Sequence, residues 1–217
     1  YWGSHQTKPI RKVTKAALLF SLAIAAGMIA LCIRIPNTLI GLFTTSPDII
    51  REGTTYLHII QWTFLFFMIS NLLLAMLRSV ETVKIAFLIS VISLLVNGGI
   101  NYILIFGRFG APEMGIRGAA IGTFAARILE LGIVLFYVWK KDTKVKLFDE
   151  KFRDGIIGKG SGTVWKTFFK VCIPILTSGL LWAVSLPMQT AILGHLSADA
   201  IAANSVSSTF FQYLKVI

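Results

Sequence analysis

The chain has 217 residues, of which 55% are hydrophobic and only 14% charged, and its mean hydropathy is +0.75. Soluble domains carry about a quarter charged residues, and a fold of this length has too little interior to hide so much apolar surface, which excludes a soluble protein and implies a polytopic membrane protein. The net charge of +11 would suggest nucleic acid in a soluble chain, but here the positions of the charges decide against it.

The opening stretch "YWGSHQTKPIRKVTK" is polar and basic, lacks a signal-peptide pattern, and reads as a loop feeding the first span. Uncharged runs of about 18 residues or more can cross a bilayer as helix. Ala16–Ile33 is the first and Thr54–Leu77, with Gln61 and Asn71 as polar points, the second. Ile85–Gly107 is the third, and it gathers Ser90, Ser93, Asn97 and Asn101 on one helical face. Gly118–Trp139 has the length of a fourth but carries Thr123, Arg127 and Glu130, again on one face. Lys140–Lys166, mixed in charge and ending in "GKGSG", has the composition of a flexible linker. Its first half can also lie along the membrane surface as an amphipathic helix through Val145, Leu147, Phe148 and Phe152. Val171–Ala198 is the fifth span, with Ser178, Ser185 and Gln189, and Pro187 is read as a break in its helix. A sixth apolar run starts at Ala200, carries Ser205, Ser208 and Gln212, and continues to Ile217. Continuous apolar runs in lipid must pair their backbone internally, so the expected fold is an all-α transmembrane bundle. A start without methionine and an end inside an apolar run suggest a piece of a longer chain.

Assigning alternate connections to one side puts fifteen lysines and arginines there, from Lys8 to Lys170, against Arg34, Arg51, Arg108 and Arg117 on the other. The positive-inside rule places the first side, with the 140–166 linker, in the cytoplasm. The basicity is then a topology signal and an attraction to anionic headgroups, with no nucleic-acid partner required. Cys32 and Cys172 lie far apart in apolar runs, and His5, His58 and His195 show no ligand spacing, so neither a disulfide nor a metal site is expected.

The polar residues within the spans admit two readings. They can join helices to one another, or line a water-filled path for a solute; Gln61, Asn97, Asn101 and Gln189 are the cavity-lining candidates, because an amide facing lipid without partners is costly. Arg127 and Glu130, at i, i+3, can neutralise one another as a structural brace. Alternatively Glu130 takes part in proton or cation coupling, since intramembrane carboxylates mark ion and proton pathways. Pro187 is either a passive kink or part of a gate.

The stretch "NGGINYILIFGRFGAPEMGIRGAAIGTFAARILE" resembles the multidrug and toxic compound extrusion (MATE) family, in which a helix ending N-Y-x-L-I-F-G is followed by G-x-P-x-x-G-x-x-G-A-A and another helix. The matching residues run from Asn101, Tyr102 and Gly107 to Gly110, Pro112, Gly115, Gly118, Ala119 and Ala120. "YWGSHQTKPIRKV", "LRSVETVK" and "PILTSGLLWAVSLPMQTAILGHLSADAIAANS" agree in order with further family segments. One departure is the loop Val80–Lys84, where the family usually has a glycine and an acid before the lysine. The residues themselves explain the loop as a tight turn followed by a small-residue helix face for close packing, with ligand contact as the alternative.

The resemblance implies the third through seventh helices of a twelve-helix, two-bundle transporter, with the eighth begun. Residues 1–139 would form most of the first bundle, 140–166 the cytoplasmic linker, and 167–217 the start of the second. It further implies a plasma (inner) membrane antiporter that exports small organic, often cationic, compounds. Sodium or proton would be the coupling ion, with no cofactor, and the remainder of the full-length chain would be needed. Aromatic surfaces from Trp62, Phe64, Phe66, Phe67 and Trp182 could serve substrate or simply pack. The alternatives are a lipid or lipid-linked oligosaccharide flippase of related fold and a non-transporting membrane scaffold.

Overall fold

A computed structural model describes residues 1–3, 6–142, 144–147, 161–196 and 203–211. Regular structure among them is entirely helical: α1 (Thr7–Arg34), α2 (Pro36–Gly41), α3 (Pro47–Ile60), α4 (Thr63–Ser79), α5 (Val83–Phe106), a 3-10 turn (Arg108–Gly110), α6 (Gly115–Lys140) and α7 (Ser161–Leu196), followed by a helical run at 203–211. Among the described residues, four of these helices are long and apolar enough to cross a membrane, and the bent pair α3–α4 meets the same measure when its two helices are taken together. The start of the sixth apolar run, Gln212 and most of the 140–166 stretch lie outside the described residues.

The helices overrun the uncharged segments that announce them. Helix α1 begins at Thr7 rather than Ala16, which puts Lys8, Arg11, Lys12 and Lys15 on its first turns instead of in a loop. A bilayer limits the apolar stretch and leaves the helix free to continue past it, and long basic side chains reach back to the interface. Pro36 cannot supply the next ladder N–H, so α1 stops and α2 starts with that proline in its first turn.

The second span bends by 52° between Ile60 and Thr63 without proline or glycine at the break. Local side chains take over carbonyls there. Gln61 Nε2 donates to His58 O at 3.0 Å and Thr63 Oγ1 to Ile60 O at 2.6 Å. A side chain inserted into the i→i−4 ladder is an established cause of kinks.

The apolar core sits at the lysine-rich end of the bundle, where Leu73 and Leu77 of α4 and Val80 just beyond it meet Ala86 and Ile89 of α5 and Val134 and Val138 of α6. Val145 and Leu147 complete it. The expected surface-lying helix is therefore corrected at these two residues, which are buried in the protein and not laid on the membrane, while Phe148 and Phe152 lie outside the described residues. The cause is a turn that Asp142 organises: its carboxylate accepts the N–H groups of Lys144, Val145 and Lys146. Arg11 Nε then donates to Val145 O at 2.6 Å and Lys144 Nζ to Val80 O at 2.7 Å. The outward faces carry exposed Phe87, Leu95 and Phe136, as expected where the surrounding solvent is hydrocarbon.

Helix α7 packs on α1 through Phe168 and Phe169, whose rings meet Phe20 edge-on at 5.9 and 5.7 Å. It is continuous through both Pro174 and Pro187.

Candidate polar cavity between three helices

The α5–α6 hairpin that builds the site depends on glycine at each step. Gly107 (φ 63°) closes α5 in the left-handed conformation, and Gly110 (φ 82°) and Gly115 (φ 52°) carry the loop round Pro112. Met114 N–H bonds back to Leu104 O at 2.9 Å. The first turns of α6 then lie directly on the α5 backbone. A methyl group on Gly118 would sit 2.6 Å from Leu104 O, and one on Gly122 would collide with Asn101 Oδ1. This is the small-residue device by which membrane helices approach closely.

Close approach brings the two polar faces together. Asn101 Nδ2 donates to Asn97 Oδ1 (3.2 Å), Asn97 Nδ2 to Thr123 Oγ1 (3.3 Å), and Thr123 Oγ1 to Ala119 O of its own helix (3.0 Å). Two turns further along, Glu130, only 4% exposed, receives Arg127 Nη1 at 2.6 Å and Ser93 Oγ at 3.2 Å on the same oxygen, Oε2. The Arg127 guanidinium also lies over the Phe67 ring of α4, 4.8 Å from its centroid. Carboxylate and arene thus hold one cation between them.

These groups border a cavity of about 350 Å³ between α4, α5 and α6. Asn71 and Arg78 face it from α4, Ser90, Ser93 and Asn97 from α5, and Thr123, Arg127 and Glu130 from α6. In chemical terms it offers one anionic acceptor, two guanidinium groups, and amides and hydroxyls that both donate and accept.

The candidates chosen from the sequence separate into two groups. Asn97, Arg127 and Glu130 converge on the cavity, and Asn101 stands behind Asn97, its Oδ1 buried without a hydrogen-bond partner. Gln61 is buried at the α3–α4 bend, its Oε1 likewise unpartnered. Gln189 is exposed on α7 and reaches Asn204 at 3.4 Å. Of the aromatic candidates, Phe67 touches Arg127, Phe66 packs edge-on against Phe124 at 5.6 Å, and Trp62 and Trp182 face outward. Sequence reasoning missed Arg78, counted there as a loop cation. A signal was available: Phe67, Asn71, Leu74 and Arg78 follow one another at steps of four, three and four, which places them on one face of α4.

Fold and site together define a polytopic all-α membrane protein with a charged, hydrogen-bonding cavity set among its spans. The MatE family model matches residues 1–103. Proteins described as "Probable multidrug resistance protein NorM" are similar over most of the chain. That of Rhizobium meliloti is 26% identical over 169 residues, covering 76% of this chain and 34% of the relative. Those of Thermotoga maritima (25% over 206 residues, 94% and 42%) and Bacillus anthracis (26% over 202 residues, 88% and 43%) align still more widely. The chain is thus similar to the MATE family, whose model matches its first 103 residues. It spans less than half the length of each of these relatives.

Proposed function

We propose that this chain forms part of a secondary active antiporter that exports organic compounds, often cationic or amphipathic, against inward sodium or proton flow. The observation that carries the reading is a buried carboxylate, Glu130, facing a polar cavity inside the membrane of a chain whose relatives are named for multidrug resistance. An intramembrane carboxylate is expensive unless it is paired or used. In this mechanism residues 1–139 supply most of one bundle and 167–217 the beginning of the other, joined by the cytoplasmic 140–166 linker in the plasma (inner) membrane. The bundles rock about a central cavity, and cation entry and substrate release alternate. The whole-length protein should extrude a fluorescent cationic dye, and collapsing the ion gradients should abolish extrusion. Glu130→Gln should lower the rate and flatten its pH dependence; unchanged export with an unchanged pH profile would remove Glu130 from coupling and leave it a brace. Pro187→Ala should slow export more than it lowers expression, and equal losses would contradict a gating part for that proline.

A second reading gains from Arg78. With Arg127 it gives the cavity two guanidinium groups against one carboxylate, a balance that suits the anionic headgroup of a lipid-linked sugar. A flippase would translocate such a lipid in vesicles and leave dye accumulation unaffected; a scaffold would do neither.

A further inference from the structure

A second recess, of about 440 Å³, lies at the lysine-rich end of the same hairpin, between the α4–α5 turn and the end of α6. We propose that it binds the phosphate headgroup of an anionic phospholipid from the adjoining leaflet.

Three lysines border the recess: Lys84 on the first turn of α5, Lys141 at the end of α6, and Lys144 on the turn beyond. Its two carboxylates do not cancel them equally. Asp142 is committed to the three backbone N–H groups of its turn, and Glu81 is exposed on a left-handed residue of the α4–α5 turn (φ 60°). Lys144 is fixed by Val80 O, but Lys84 and Lys141 are exposed and form no ion pair among the described residues. The N-terminus of α5 opens on the same recess, with no side-chain cap and no acidic residue in its first turn. Its backbone N–H groups and dipole therefore add to the positive field.

Position selects a lipid over a free anion. Trp139, exposed to 68% with Lys140 Nζ 5.4 Å from its ring centre, marks the headgroup level one turn from the recess. Immediately below the lysines, Val83 and Phe87 form an exposed apolar stripe on the first turns of α5, at a step of four. A headgroup among the lysines would lay its acyl chains on that stripe, the arrangement expected of a basic pocket between membrane helices.

The test is native mass spectrometry of the protein in mild detergent with phosphatidylglycerol and phosphatidylcholine of matched chains. The protein should retain phosphatidylglycerol preferentially. Lys84→Gln with Lys141→Gln should reduce that preference about tenfold, two surface lysines being removed, while the charge-matched pair Lys166→Gln with Lys170→Gln should leave it intact. The double variant Lys84→Arg with Lys141→Arg should also keep the preference, and it reports on the site even if the glutamine pair folds poorly. Equal preference in all variants, or equal loss in both glutamine pairs, would overturn the site. Displacement of the lipid by inorganic phosphate at equal concentration would overturn the assignment to lipid.

Discussion

Helices α5 and α7 carry similar spacings of serine and amide residues, yet the two patterns end in different environments. On α5 the polar residues meet α6: Asn97 bonds Thr123, Ser93 bonds Glu130, and a cavity forms between them and α4. On α7 the hydroxyl of Thr177 bonds back to Ile173 O of its own helix, and Ser185 and Gln189 lie on an exposed apolar face with Leu181 and Met188. A helical face shows only which residues can act together. Whether they act on a neighbour is decided by how close the neighbour's backbone can come, and on α6 glycine sets that distance.

The sharpest way to break this comparison is to change the glycines. Gly118→Ala places a methyl 2.6 Å from the Leu104 carbonyl oxygen, and backbone cannot step aside as a flexible side chain would. A loss of about 3 kcal/mol is expected from such overpacking, read as a lower unfolding midpoint in detergent. Gly179→Ala on α7, with nothing within 4 Å of the new methyl, should be neutral or slightly stabilising. Equal effects at the two sites would show that close approach does not distinguish the helices.

Next in size is the ion pair. Arg127→Met strands Glu130, which is almost wholly buried, while Arg127 itself is partly exposed, its side chain 32% accessible. Losing one partner of a fully buried pair costs about 3–5 kcal/mol, and the exposure of Arg127 lowers the expectation here to about 2 kcal/mol. Adding Glu130→Gln should restore most of that loss, because a neutral amide still accepts from Ser93 without leaving an unpaired charge. A double variant as unstable as Arg127→Met alone would place the cost in lost packing on Phe67 rather than in charge.

The sequence makes the all-α membrane class plain, because length and apolar continuity are set by the bilayer rather than by any partner. The turn at Gly110 and Gly115 was equally legible, since both residues adopt positive φ, for which glycine is suited. Contacts distant in sequence were not. Nothing near Val145 announces that it is buried beside Val80, because an apolar residue in a charged segment reads the same on a membrane surface and in a core. The bend at Gln61 was hidden for a related reason: no proline or glycine marks it, and it comes from two polar side chains capturing nearby carbonyls. For the cavity, the faces of α5 and α6 were readable residue by residue. The third wall required knowing that α4 turns Asn71 and Arg78 toward them.

The smallest effect tests whether cross-helix polar bonds differ in kind from bonds within one helix. Asn97 accepts from Asn101 and donates to Thr123 of α6, so Asn97→Ala removes an interhelical bond and strips Asn101 Nδ2 of its acceptor. Interhelical polar contacts in membranes are worth about 0.6 kcal/mol on average and reach about 1.7 kcal/mol, and the stranded Asn101 amide, already with an unpartnered Oδ1, puts Asn97→Ala near the upper value. Thr177→Ala on α7 removes only a hydroxyl bonded to its own helix, whose carbonyl keeps its ladder partner, so a change within about 0.5 kcal/mol is expected. Matched unfolding curves for the two variants should therefore separate by about 1 kcal/mol. If they coincide, the amide ladder between α5 and α6 adds nothing beyond local hydrogen bonding, and the polar face of α5 is to be explained by solvation of the cavity alone.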